Sequence, residues 1–92
     1  MFTEHRLDPR QSVELPVRLG DGSQGIARNI SPSGMYLEIR GEPPADPLIY
    51  MEMDVPGEHL AFRSHGRIVR LEHGPGFTGI AVRLEEPQLE RC

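Results

Sequence analysis

The feature that most constrains this chain is a period-two alternation of apolar and polar residues that returns repeatedly between turn signals. In "SVELPVRL" the residues Val13, Leu15, Val17 and Leu19 share one face, with Glu14, Pro16 and Arg18 on the other. "GDGS" then supplies residues that tolerate positive φ, as a tight turn requires. A short run, "QGIARNI", precedes a second alternation in which Met35, Leu37 and Ile39 oppose Tyr36, Glu38 and Arg40. "LIYMEMDV" puts Ile49, Met51, Met53 and Val55 on one face, and "FTGIAVRL" does the same with Thr78, Ile80, Val82 and Leu84. Between these two, the stretch from Leu60 to Leu71 is long for one strand. Its phase slips near Ser64 to Gly66, with Leu60 and Phe62 leading and Val69 and Leu71 following, which predicts a bulge or bend. Six short strands at roughly ten-residue spacing predict an all-β fold, a small six-stranded antiparallel barrel.

The punctuation agrees with that reading. Pro16 cannot donate to a ladder and belongs on an edge or at a bulge. "GEPPADP" is too rich in proline for regular structure and reads as a surface loop. No stretch shows a helical period, although "EEPQLERC" could form one fraying turn. With 92 residues and no linker, one domain with one modest core is expected. It divides into an N-terminal arm (1–11), the barrel (12–84) and a C-terminal tail (85–92). Met51 and Met53 read as core packing.

Charge and cysteine usage narrow the function. Ten basic against fourteen acidic residues give a formal net charge of −4, which argues against a broad surface for coating DNA or membranes. Any anion site must be local. Every basic residue is Arg and none is Lys, and the guanidinium fork suits phosphates and base edges. Cys92 is the only cysteine, so no internal disulfide and no cysteine metal cluster can form, and a reducing intracellular setting fits best. "MFTEHRLDPR" lacks the apolar core of a signal peptide, and no apolar run approaches the length of a membrane span. A soluble, cytoplasmic chain with no membrane insertion is expected. His5, His59, His65 and His73 have no acidic or cysteine companions at metal spacing. Ser12, Ser31 and Ser64 lack the setting of a nucleophile. No catalytic residue, metal ligand or cofactor is therefore predicted.

One turn carries more polar equipment than a hairpin needs. In "NISPSGMYLEI" Asn29 and Ser31 can bond nearby backbone amides, Pro32 fixes one φ, and Gly34 can take a conformation closed to other residues. Taken alone, this is a well-made turn. In "RLDPR", however, Arg6 and Arg10 stand four apart in the arm just ahead of the first strand. Together the two stretches read R-x-x-x-R, an eighteen-residue gap and N-x-S-x-x-G.

This pairing resembles the two signatures of the PilZ domain, the bacterial receptor module for cyclic di-GMP. "PVRL", "GRIVRLE" and "GFTGIAVRL" look like the same family, and the resemblance runs from about His5 to Leu84. It implies a six-stranded antiparallel barrel with the arm lying across the ligand, and commonly a helix after the last strand, for which little chain remains here. It further implies that Arg6, Arg10, Asn29, Ser31 and Gly34 bind cyclic di-GMP. The chemistry agrees, because a guanidinium can bridge phosphate oxygens, pair with guanine O6 and N7, or lie over a purine face. The function expected is a non-enzymatic receptor whose ligand orders the arm and so alters a surface read by a downstream protein partner. Two alternatives stand beside it. One is a PilZ-like interaction module that docks protein and no nucleotide. The other is a barrel for single-stranded nucleic acid, which would want a basic groove with aromatic platforms. Against that last reading stand the acidic balance and the two Tyr and three Phe that are its whole aromatic complement, so no DNA or RNA partner is expected.

Overall fold

The computed structural model describes residues 11–91. Among them are six strands and no helix: β1 (Gln11–Leu19), β2 (Gln24–Ile30), β3 (Gly34–Ile39), β4 (Leu48–Val55), β5 (Leu60–Gly74) and β6 (Phe77–Arg91). They close into an antiparallel barrel in the order β1-β2-β3-β6-β5-β4, as the alternation predicts. Closure rests on a short ladder, Arg18 opposite Glu52 and Leu19 opposite Met51. Among the described residues, 11–17 of β1 thus pair with β2 alone. Pro16 sits there, opposite Ile26, where a residue without an N–H is tolerated.

Side chains of the inward phase fill the barrel. Val17, Leu19, Ala27, Met35, Leu37, Ile39, Ile49, Met51, Met53, Ile80 and Val82 are buried, and Val13, Leu15, Ile30, Phe62, Ile68 and Leu84 pack against them. Leu37 and Ile80 are fully enclosed, and burial of such a side chain stabilises the fold by about 1.5–3 kcal/mol. Two polar groups inside the barrel wall are satisfied locally. The Thr78 hydroxyl donates to the Gly41 carbonyl at 3.0 Å, and that of Ser64 donates to the carbonyls of His65 (2.7 Å) and Glu85 (3.2 Å).

The β5–β6 pair departs from the expectation in two places. Its register shifts between Arg63 and His65, near the predicted slip, and again between Ile68 and Arg70. Ser64, Gly66 and Ile68 hold the inward phase that Leu60 and Phe62 begin, and the second bulge falls at Val69. Val69, the extra residue, is 54% exposed, and the shift returns Leu71 to the core phase opposite Ile80, as expected, although Leu71 stays 43% exposed. Residues 85–91, where one helical turn was conceivable, continue β6 as strand and pair with Leu60–Arg63. Pro87 does not stop the strand because it lies in the first bulge, beside Glu86 at φ 58°. There the Ser64 hydroxyl takes up the Glu85 carbonyl, a bond the interrupted ladder does not make.

Candidate functional site

The predicted site residues fall into two groups. Arg6 and Arg10 lie outside the described residues. Asn29, Ser31 and Gly34 are brought together where β2 turns into β3, at the barrel end from which β1 starts. Gln11, the residue after Arg10, is opposite Ile30, and Ser12 is opposite Asn29. The chain therefore leaves the arm at the same rim that carries the polar turn.

A bulge aims Asn29. Strict alternation from the buried Ala27 would send Arg28 outward and Asn29 into the core. The β2–β3 register shifts between Ala27 and Asn29, so that Asn29 pairs with Tyr36 and Ile30 with Met35. Directly opposed residues share a face. Asn29 accordingly joins the outward Tyr36, while Ile30 joins Met35 on the core side. Arg28, the extra residue, stays outside and meets Glu38 (3.0 Å) and Glu14 (3.6 Å); these carboxylates raise its pKa further, Glu38 first.

Ser31 is only 4% exposed, and its hydroxyl lies inside the turn. It accepts from the Gly34 amide at 3.2 Å and is 3.4 Å from the Gly34 carbonyl. The Ser31 amide donates to that carbonyl at 2.9 Å. In this arrangement the hydroxyl shapes the loop, and Asn29 is the motif side chain presented outward. Gly34 is buried and outward-facing between Ser33 and Met35, opposite Arg83 of β6. A Cβ there would stand 3.0 Å from the Val82 carbonyl, a tight contact with β6 backbone that glycine avoids. A bond from the Leu84 amide to the Ser33 carbonyl, 2.8 Å, fastens the turn to β6.

Beside the turn lies a groove of about 410 Å³ lined by Gln11, Ile30, Ser31, Pro32, Phe62, Leu84 and Pro87. Its walls are mainly apolar. At the opposite end of the barrel two concavities flank Gly20 and Tyr50, of about 350 and 430 Å³. Glu52 and Arg18 line the first, where Arg18 is already matched by Glu52 and Asp54, and Asp21 and Asp46 line the second, a poor setting for a phosphodiester. Hydrogen bonds from the Ser23 hydroxyl and amide hold the Asp21 carboxyl below its ordinary pKa, so it stays charged there.

On the outer wall near the turn, the Tyr36 ring crosses Gly79, where a Cβ would collide with its hydroxyl. That hydroxyl donates to Glu72 at 3.0 Å. Burial first, and then the Glu72 carboxylate, push the Tyr36 phenol above its ordinary pKa. Two features of the region escape sequence reasoning: the outward turn of Asn29, which depends on a bulge, and the neighbourhood of Arg83, which depends on β3 pairing with β6. Among the described residues no group of three or more His, Cys, Asp or Glu side chains is placed to hold a metal ion. No helix there is long and apolar enough to cross a membrane.

No family model and no curated protein matches the sequence. Among solved structures the chain is similar to the Bacillus subtilis inhibitor of motility (MotI/DgrA), with a TM-score of 0.78 at 14% identity over 94% of this chain and 44% of that one. This likeness is one of fold. The chain spans less than half the length of that protein.

Proposed function

We propose that this chain is a PilZ-like receptor for cyclic di-GMP, which binds its ligand without transforming it and transmits the bound state to a protein partner in the cytoplasm. The observation that carries the reading is the pairing of Gln11 with Ile30 and Ser12 with Asn29. Gln11 and Ser12, which follow the R-x-x-x-R segment in sequence, thus lie beside the N-x-S-x-x-G turn, and this supports joining two motifs that are eighteen residues apart. Support also comes from the barrel's likeness to the motility inhibitor.

Each residue has a distinct task in this reading. Arg6 and Arg10 supply guanidinium groups for the two phosphodiesters and for the O6 and N7 edge of guanine. Asn29, turned outward by its bulge, offers an amide to the guanine edge or a phosphate oxygen. Ser31 and Gly34 hold the loop that presents Asn29. Pro32, Phe62 and Leu84 give the rim an apolar wall against which a purine can lie.

That same wall favours a second reading, a module whose apolar groove accepts a protein side chain and no nucleotide. Calorimetric titration with cyclic di-GMP and with cyclic di-AMP separates the two. Saturable binding of the guanine dinucleotide, with far weaker binding of the adenine one, is expected, because adenine places a donor where guanine offers O6. Equal affinities would mean that only phosphates are recognised. Absence of heat with either at high micromolar concentration would favour the protein-docking module.

A further inference from the structure

We infer that Arg83 is a further anion-binding residue of this site, contributing a guanidinium to a phosphate of the ligand from the β6 side of the turn. The inference rests on the cyclic di-GMP reading above and adds to it a residue that neither sequence motif contains.

Four observations converge on Arg83. It lies directly opposite Gly34 on the β3–β6 ladder, with Val82 and Leu84 packed inward on either side, so its exposed side chain rises from the outer wall beside the one motif residue that has none. The Leu84 amide bonded to the Ser33 carbonyl at 2.8 Å ties the Arg83 backbone to the turn, which fixes its distance from Asn29 and Gly34. Its other cross-strand neighbour is Arg67 of β5. Two like charges directly opposed are unfavourable in a sheet, and Arg67 is already matched by Glu85 at 2.9 Å. Finally, Arg18, Arg28, Arg63, Arg67 and Arg70 all meet carboxylates, whereas Arg83, like Arg40 and Arg91 but alone among them beside the turn, has no ion pair among the described residues.

An exposed guanidinium opposite a residue without a side chain, facing a like charge and unmatched by a carboxylate, is suited to an incoming anion. It would approach the phosphate from the β6 side of the turn.

The test compares the full chain with Arg83→Ala, Arg83→Lys and Arg40→Ala by calorimetric titration with cyclic di-GMP, alongside thermal melting of each protein without ligand. Arg40 follows β3 at its far end, about 20 Å from Gly34 at the usual rise per residue, and its substitution removes the same charge from the protein. Arg83→Ala is expected to weaken binding at least tenfold, Arg83→Lys to recover part of that loss, and Arg40→Ala to bind within twofold of the parent. Melting of free Arg83→Ala should be unchanged or slightly higher, since a like-charge contact is relieved. If the parent binds and Arg83→Ala binds equally well, or if Arg40→Ala loses as much as Arg83→Ala, the assignment of Arg83 is overturned while the receptor reading stands. If the parent itself does not bind, both fall.

Discussion

Ser31 and Gly34 close the β2–β3 turn upon each other. The Gly34 amide is within reach of both the carbonyl (3.3 Å) and the hydroxyl (3.2 Å) of Ser31, and the Ser31 amide returns a bond to Gly34 at 2.9 Å. Because the hydroxyl is buried, its removal leaves polar backbone without that partner. Ser31→Ala is expected to destabilise the fold by about 1–3 kcal/mol. Gly34→Ala should cost a similar about 1–3 kcal/mol by overpacking, since the new methyl meets the Val82 carbonyl, which is backbone and cannot swing aside. Urea unfolding of both variants checks this, with unchanged midpoints as the contrary result.

Tyr36 and Gly79 form a second pair with a measurable coupling. A methyl at Gly79 would drive the Tyr36 ring off the β6 backbone and break its bond to Glu72. Gly79→Ala is expected to destabilise the parent clearly but to cost little in a Tyr36→Ala background, giving an interaction energy of about 0.5–3 kcal/mol in a double-mutant cycle. Additive losses would mean that the ring does not lie across Gly79.

The two tyrosines should also set the alkaline limit of stability. Burial raises the pKa of Tyr36 and of Tyr50, with help from Glu72 and Glu52 respectively. A group whose folded pKa is raised stabilises the fold fully below its unfolded value, about 10 for tyrosine, and that contribution is lost as pH rises through the folded pKa. Phenolate absorbance of the folded protein should therefore reach its midpoint above pH 10 and later than in denaturant, while the melting temperature declines over the same range. Coincident titrations in the two states would contradict this.

How much of this was legible in the sequence follows from where alternation is enforced. Met35, Leu37 and Ile39, or Ile49, Met51 and Met53, are buried in one phase, because a strand with one face on a core must repeat every two residues. The polar turn was legible for a related reason, since Ser31, Pro32 and Gly34 announce a backbone that departs from strand geometry. Bulges were harder. The phase slip of this strand was legible, but it falls between Ile68 and Arg70, where Val69 is the extra residue and Leu71 comes opposite Ile80. Pro87 reads as a stop, and only the partner strand, with Ser64 filling the bulge, lets β6 continue. Arg83 was not legible at all, since its position beside Gly34 follows from a pairing between strands distant in sequence.

The most direct test of the receptor reading is the affinity of the full 92-residue chain for cyclic di-GMP, measured by calorimetry beside Arg10→Ala with far-ultraviolet circular dichroism of both. The parent should bind saturably. Arg10→Ala should keep the parent spectrum and lose about 2–5 kcal/mol of binding, the usual effect of truncating a charged partner at a desolvated interface, which corresponds to about thirtyfold or more in Kd. A parent that gives no heat at high micromolar ligand, or an Arg10→Ala protein that binds as tightly as the parent, would contradict it.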